Sequence, residues 1–266
     1  MFSSPFGTKV QKKLREETRF VFVSDMFVNE YVGGAELTSQ SLIDSCPLEI
    51  ETLKSSEVTV DLLEQGHKKY WIFGNFAGLN KELIPTIVAN MEYSVLEYDY
   101  KYCRYRSTEK HKVAEQEECN CHQEMHGKMV SAFYQGAKSL WWMSEGQMDH
   151  YTKLFPFLLE KDNTVLSSVF DDKFFLNIKD LREKYKEKER KGWLVLGSNS
   201  WIKGTDAAKA WCEDNNKEYE VLHGLSHVQV LEKMAQAEGF VLAASTAMDV
   251  DLSKLTEDGM SCARRS

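Results

Sequence analysis

Short apolar and β-branched blocks recur along the chain at residues 19–24 (RFVFVS), 69–74 (KYWIFG), 93–98 (YSVLEY), 139–144 (SLWWMS) and 164–169 (TVLSSV). Blocks of this length, with little alternation, suit strands buried on both faces of a parallel sheet. Helical spacing of apolar positions falls between them, at 35–43, 127–137 and 147–154. Residues 81–91 (KELIPTIVANM) read as a helix provided Pro85 lies in its first turn. Residues 99–125 show no period and read as a long irregular stretch carrying Cys and His. Residues 179–192 (KDLREKYKEKERKG) are dense in charge and poor in apolar side chains, as a solvated helix or hinge is, and mark a natural boundary. Alternation then resumes, with strands at 193–197, 219–224 and 239–242 and helices at 204–214 and from Ser226, a capping residue, to 237. Residues 243–266 have no convincing period.

This order predicts an α/β protein made of two Rossmann-like domains. A polar lead-in (1–18) precedes the first domain (19–178), and a charged hinge (179–192) leads to the second (193–266). With about three strands, the second domain reads as partial, a truncated end.

Composition narrows the partners. The 266 residues are 42% hydrophobic and 28% charged, enough for a real core, and the net charge of −8 argues against a nucleic-acid backbone as partner. No apolar run approaches the roughly 20 residues that span a bilayer, and no apolar signal core opens the chain, so a cytoplasmic protein without a transmembrane segment is expected. Six cysteines spread along such a chain are expected as thiols or metal ligands.

Four constellations could carry chemistry. Gly33–Gly34 sits between a strand and a helix, where glycine allows close backbone approach and free amides meet an anion; a plain tight turn would use the same residues. Gly197, Ser198, Lys203 and Gly204 lie in a second strand-to-helix loop (GSNSWIKG), where a lysine can neutralise a diphosphate. Asp99 ends the 93–98 strand, placed to orient or deprotonate a hydroxyl, or to cap the turn. Cys103, His111, Cys119, Cys121, His122 and His126 are a dense set of soft ligands, of which Cys103, Cys119, Cys121, His122 and His126 are the candidates for a structural zinc. Ordinary reduced thiols and loop histidines remain the alternative. Trp141–Trp142, inside a strand pattern, read as core and not as a sugar platform.

The segments VSDMFVNEYVGGAE (23–36), NTVLSSVFDDKFF (163–175), GSNSWIKG (197–204) and FVLAAS (240–245) occur in an order and spacing that resemble a GT-B type glycosyltransferase of the large retaining, nucleotide-sugar-dependent group. The resemblance spans most of residues 19–245. It implies a nucleotide-sugar donor, a saccharide or other hydroxyl acceptor, and no metal cofactor for catalysis. Gly33 and Gly34 would contact the donor phosphates or the acceptor, and Lys203 would bind the diphosphate and stabilise the leaving nucleotide. Departures are visible: Ser198 stands where the family carries arginine, Tyr98 where it commonly carries histidine, and the paired-glutamate motif expected soon after residue 245 has no counterpart. A non-catalytic nucleotide- or sugar-binding module, or another Rossmann-like enzyme, is therefore the alternative function.

Overall fold

The computed structural model describes residues 12–243. Nine strands and nine α-helices alternate through it: β1 (Phe20–Ser24), α1 (Gly34–Ser45), β2 (Ile50–Lys54), α2 (Val60–Gln65), β3 (Tyr70–Phe73), α3 (Ile84–Asn90), β4 (Glu92–Glu97), α4 (Thr108–Glu115), α5 (Met125–Gly136), β5 (Ser139–Trp142), α6 (Glu145–Leu154), β6 (Asp162–Val165), α7 (Asp172–Tyr185), β7 (Trp193–Leu196), α8 (Thr205–Asp214), β8 (Tyr219–Leu222), α9 (His227–Gln236) and β9 (Gly239–Val241). The strands form two all-parallel sheets. One has the order β2-β1-β3-β4-β5-β6 and the other β8-β7-β9. The expected α/β, Rossmann-like character is present in both.

Period-two alternation decides what each strand contributes to either face of the larger sheet. Val21 and Val23, Trp71 and Phe73, Tyr93 and Val95, and Leu140 and Trp142 enter one large core, while Phe22, Ile72 and Leu96 enter a smaller one beneath α1. The large core is aromatic: Phe73 meets Tyr93 and Phe133 edge-on at centroid distances of 5.7 and 5.1 Å, and Tyr93 stacks on Phe133 at 4.9 Å. Trp142 is fully buried and donates its Nε1–H to Asn163 Oδ1 at 2.8 Å, whereas Trp141 packs on the opposite face. Both are sheet cover, as their place in a strand implies. The smaller sheet has its own cores, one around Val195, Ala208, Cys212 and Val241, the other around Leu194, Leu222 and Ala237.

Two parts of the sequence reading are corrected, while the first half of the charged segment is the solvated helix that its composition suits. The 99–125 stretch is not irregular throughout: it contains α4, entered through Ser107, whose hydroxyl accepts from Lys110 N, and Met125, the first residue of α5. The strand expected at 164–169 is β6, two residues earlier and largely exposed at the sheet edge. The charged 179–192 segment begins inside α7, a helix with no buried residue that packs on α9 through Phe174–His227 and through Lys184 and Tyr185 to Glu232. Pro85 does lie in the first turn of α3. Among the described residues no helix is long and apolar enough to cross a membrane.

Candidate functional site

In an open parallel sheet, ligands bind beyond the carboxyl ends of the strands, where the strand order reverses. In the larger sheet that point lies between β1 and β3. Asp25, directly after β1, ties the two loops there: it accepts from Ala77 N at 3.1 Å, Gly78 N at 2.9 Å and Ser55 Oγ at 2.5 Å. Arg106, from the loop after β4, reaches the same place, donating to Asn75 Oδ1 at 2.8 Å and standing 3.5 Å from Asp25 Oδ2. Neither Asp25 nor Arg106 is prominent in the sequence. The available signal was an acidic residue placed immediately after the first apolar block.

Asp99 is held by two cations. Arg106 Nε donates to its Oδ2 at 2.7 Å, and Lys101 Nζ lies 3.4 Å from its Oδ1. Burial works against ionisation, but Lys101 and Arg106 outweigh it and hold the carboxyl below the ordinary aspartate range. A carboxylate so stabilised is a weak proton acceptor, which disfavours the general-base role and leaves that of an electrostatic anchor. Glu97 behaves oppositely. It is paired with Lys101 at 2.8 Å, with both side chains almost inaccessible, and burial pushes its carboxyl up to about 7. Tyr98 is buried, and its hydroxyl pairs with Ser39 at 2.7 Å in a contact with α1.

Beside this network is a pocket of about 140 Å³ whose lining includes Lys81, Lys101, Arg104, Arg106 and His126, with Phe76 beneath. His126 bridges its rim. Because the Lys101 carbonyl can only accept, Nε2 carries the proton and donates to it at 2.9 Å, leaving Nδ1 to accept from Lys81 Nζ at 3.0 Å. Burial, reinforced by Lys81, lowers the basicity of this imidazole, in keeping with a neutral ring.

The Cys/His set resolves into a smaller group. Cys103, His111, Cys119 and Cys121 each offer one ligand atom, all within 4.8 Å of one another, and together could hold a metal ion. His122 and His126 fall outside it. In the 3₁₀ turn Cys121–Gln123, neighbouring side chains diverge, and the His122 ring packs toward Phe155 instead. His126 has both nitrogens engaged at the pocket. His111 supplies the nitrogen of this group instead; its buried position in an otherwise solvated helix was the signal that the sequence could not display. All five described cysteines are free.

The two glycine loops differ. Gly33 caps α1 in an extended conformation, and Glu36, buried in the first turn, folds back until a methyl group at Gly33 would lie 2.7 Å from its Oε2. A carboxylate there competes with an anion for the helix amides and favours hydroxyl donors. In the smaller sheet, order reverses between β7 and β9, and residues 197–204 leave the carboxyl end of β7 at that point. Ser198 is spent on the loop itself: its Oγ accepts from Ser200 N at 3.1 Å and its amide donates to Thr205 Oγ1 at 3.1 Å. Thr205 in turn donates to Leu196 O at 2.7 Å, fastening the loop to β7. Gly197 allows close approach, since a methyl group would lie 2.6 Å from Leu222 O. Lys203 is exposed and forms no ion pair with any described residue.

The fold is that of a Rossmann-like α/β protein, with its candidate site residues near the two switch points. Comparison with known proteins adds no assignment: no protein-family model and no curated protein matches the chain.

Proposed function

We propose that the chain is a glycosyltransferase of GT-B type, with the acceptor on the larger sheet and the donor diphosphate on the 197–204 loop. The observation that carries this reading is that loop: a self-bonded strand-to-helix turn at a switch point, presenting Lys203 with no described counter-ion. Sugar transfer builds negative charge on the departing diphosphate, and a fixed cation beside it lowers the barrier. Lys203 and the amides at the start of α8 receive the diphosphate, while Glu36, beside Gly33 and Gly34, accepts from hydroxyls of the acceptor. Asp99 anchors Arg106 and takes no proton. On this reading catalysis needs no metal.

Titration calorimetry with UDP, GDP and ADP tests the reading. One of the three should bind, and Lys203→Ala should weaken it by about tenfold or more, the worth of a charged hydrogen bond of about 1.5–3 kcal/mol. Failure of all three to bind would sink it. The clamped state of Asp99 favours one second reading, a module that binds the nucleotide without turnover. Binding combined with an absence of transfer and of donor hydrolysis would select that alternative.

A further inference from the structure

We propose that Cys103, His111, Cys119 and Cys121 bind one Zn²⁺, and that this ion fastens the 100–122 segment, which carries Lys101, Arg104 and Arg106, to the carboxyl edge of β4. The inference is independent of the sugar-transfer reading.

The geometry fits a mononuclear tetrahedral site. Zinc bonds of about 2.3 Å to sulfur and about 2.0–2.1 Å to nitrogen put roughly 3.6 Å between a thiolate and an imidazole nitrogen on one ion. His111 Nδ1 lies 3.4 Å from Cys121 Sγ and 3.8 Å from Cys103 Sγ. Three soft sulfurs and one imidazole select zinc over the hard cations, which prefer oxygen.

The surroundings are built for such a group. Cys103, Cys121 and His111 are buried, and Cys119 is half-buried against the large core. Three thiolates around a divalent ion leave one net negative charge, and the chain places the cationic Arg104 next to Cys103. The turn bearing Cys121 is pressed against α5 so closely that a methyl group at Gly127 would lie 2.1 Å from Cys121 O.

Tyr102 sits in the large core and Arg106 is bonded to Asp99 and Asn75, but the stretch from α4 to Cys119 otherwise has little to hold it. In α4 the sole buried residue is His111, and residues 112–118 are all exposed. Hydrophobic burial therefore cannot dock this helix, and a metal bond through its one inward side chain can. Binding replaces the three thiol protons with the ion, which are released to solvent, so no oxidant or reductant is needed.

The test uses the full chain, prepared without oxygen. Mass-spectrometric metal analysis should find one zinc per chain, and cobalt(II) exchange should give the absorption of a tetrahedral thiolate site. Cys121→Ser and His111→Ala should lose the metal, while His122→Ala and His126→Ala keep it. The cobalt spectrum of the unaltered chain stands even if the ligand variants fail to fold. Trypsin reads the fastening: cleavage after Lys101, Arg104 and Arg106 should be suppressed in the zinc form and rise severalfold on chelation. Absence of both retained zinc and a cobalt spectrum would overturn the site, as would an S–S bond among the three cysteines in the air-free protein. A tryptic rate indifferent to chelation would overturn the fastening role.

Discussion

Gly34 and Gly204 both stand at the entry of a helix, yet the structure asks different things of them. Gly34 faces open space, with nothing within 4 Å of a methyl group added there, and Ala in a first turn reduces the freedom of the unfolded chain. Gly204 has φ +66°, and an added methyl would fall 2.0 Å from the Ala243 carbonyl oxygen. Urea unfolding should therefore show Gly34→Ala within about 0.5 kcal/mol of the parent. Gly204→Ala should lose about 1–3 kcal/mol, from left-handed strain and from displacement of the chain beyond β9. Two glycines equally suggestive in the sequence thus separate into a permissive helix entry and a required close approach, a distinction that lies in φ and in a neighbour 39 positions away.

At the scale of elements, α9 offers a clean measurement. It buries no residue, and its start is held by a capping box in which Ser226 and Gln229 exchange side-chain and backbone bonds. Ser226→Ala should destabilise it by about 1 kcal/mol, seen as faster amide exchange in 227–236 with little change in the large core. This cap was legible from Ser226 alone. So were β1, β3, β4 and β5, whose apolar blocks are buried on both faces. The strand β2 and helix α2 were not anticipated. In β2, Glu51 is buried because it accepts from Arg15 N, a contact with a residue 36 positions earlier that no local pattern announces. The same limit hid α4, whose charged sequence is anchored by one imidazole, and it hid Arg106 and Asp25, which matter only once β1, β3 and β4 lie side by side.

For the whole molecule, Glu97 sets a pH dependence. Its carboxyl is raised from an ordinary 4.5 to about 7 by burial, so the fold favours the protonated form. The stability this contributes is complete below about pH 4.5 and is lost as pH rises toward 7. Asp99, held low by its cations, acts in the opposite direction and only in more acid solution. Thermal unfolding between pH 5 and 7 should show a falling component that Glu97→Gln removes; an unchanged slope in that variant would place the titration elsewhere.

The chain's six tryptophans are unevenly placed. Trp71 and Trp142 are wholly enclosed, Trp141, Trp193 and Trp211 are partly covered, and Trp201, two residues before Lys203, is 53% exposed. An indole in water emits at longer wavelength than one in an apolar core and is within reach of a soluble quencher. Trp201 thus gives the 197–204 loop an optical signal of its own: iodide should extinguish the red edge of the emission first, and a nucleotide settling on Lys203 should shield it.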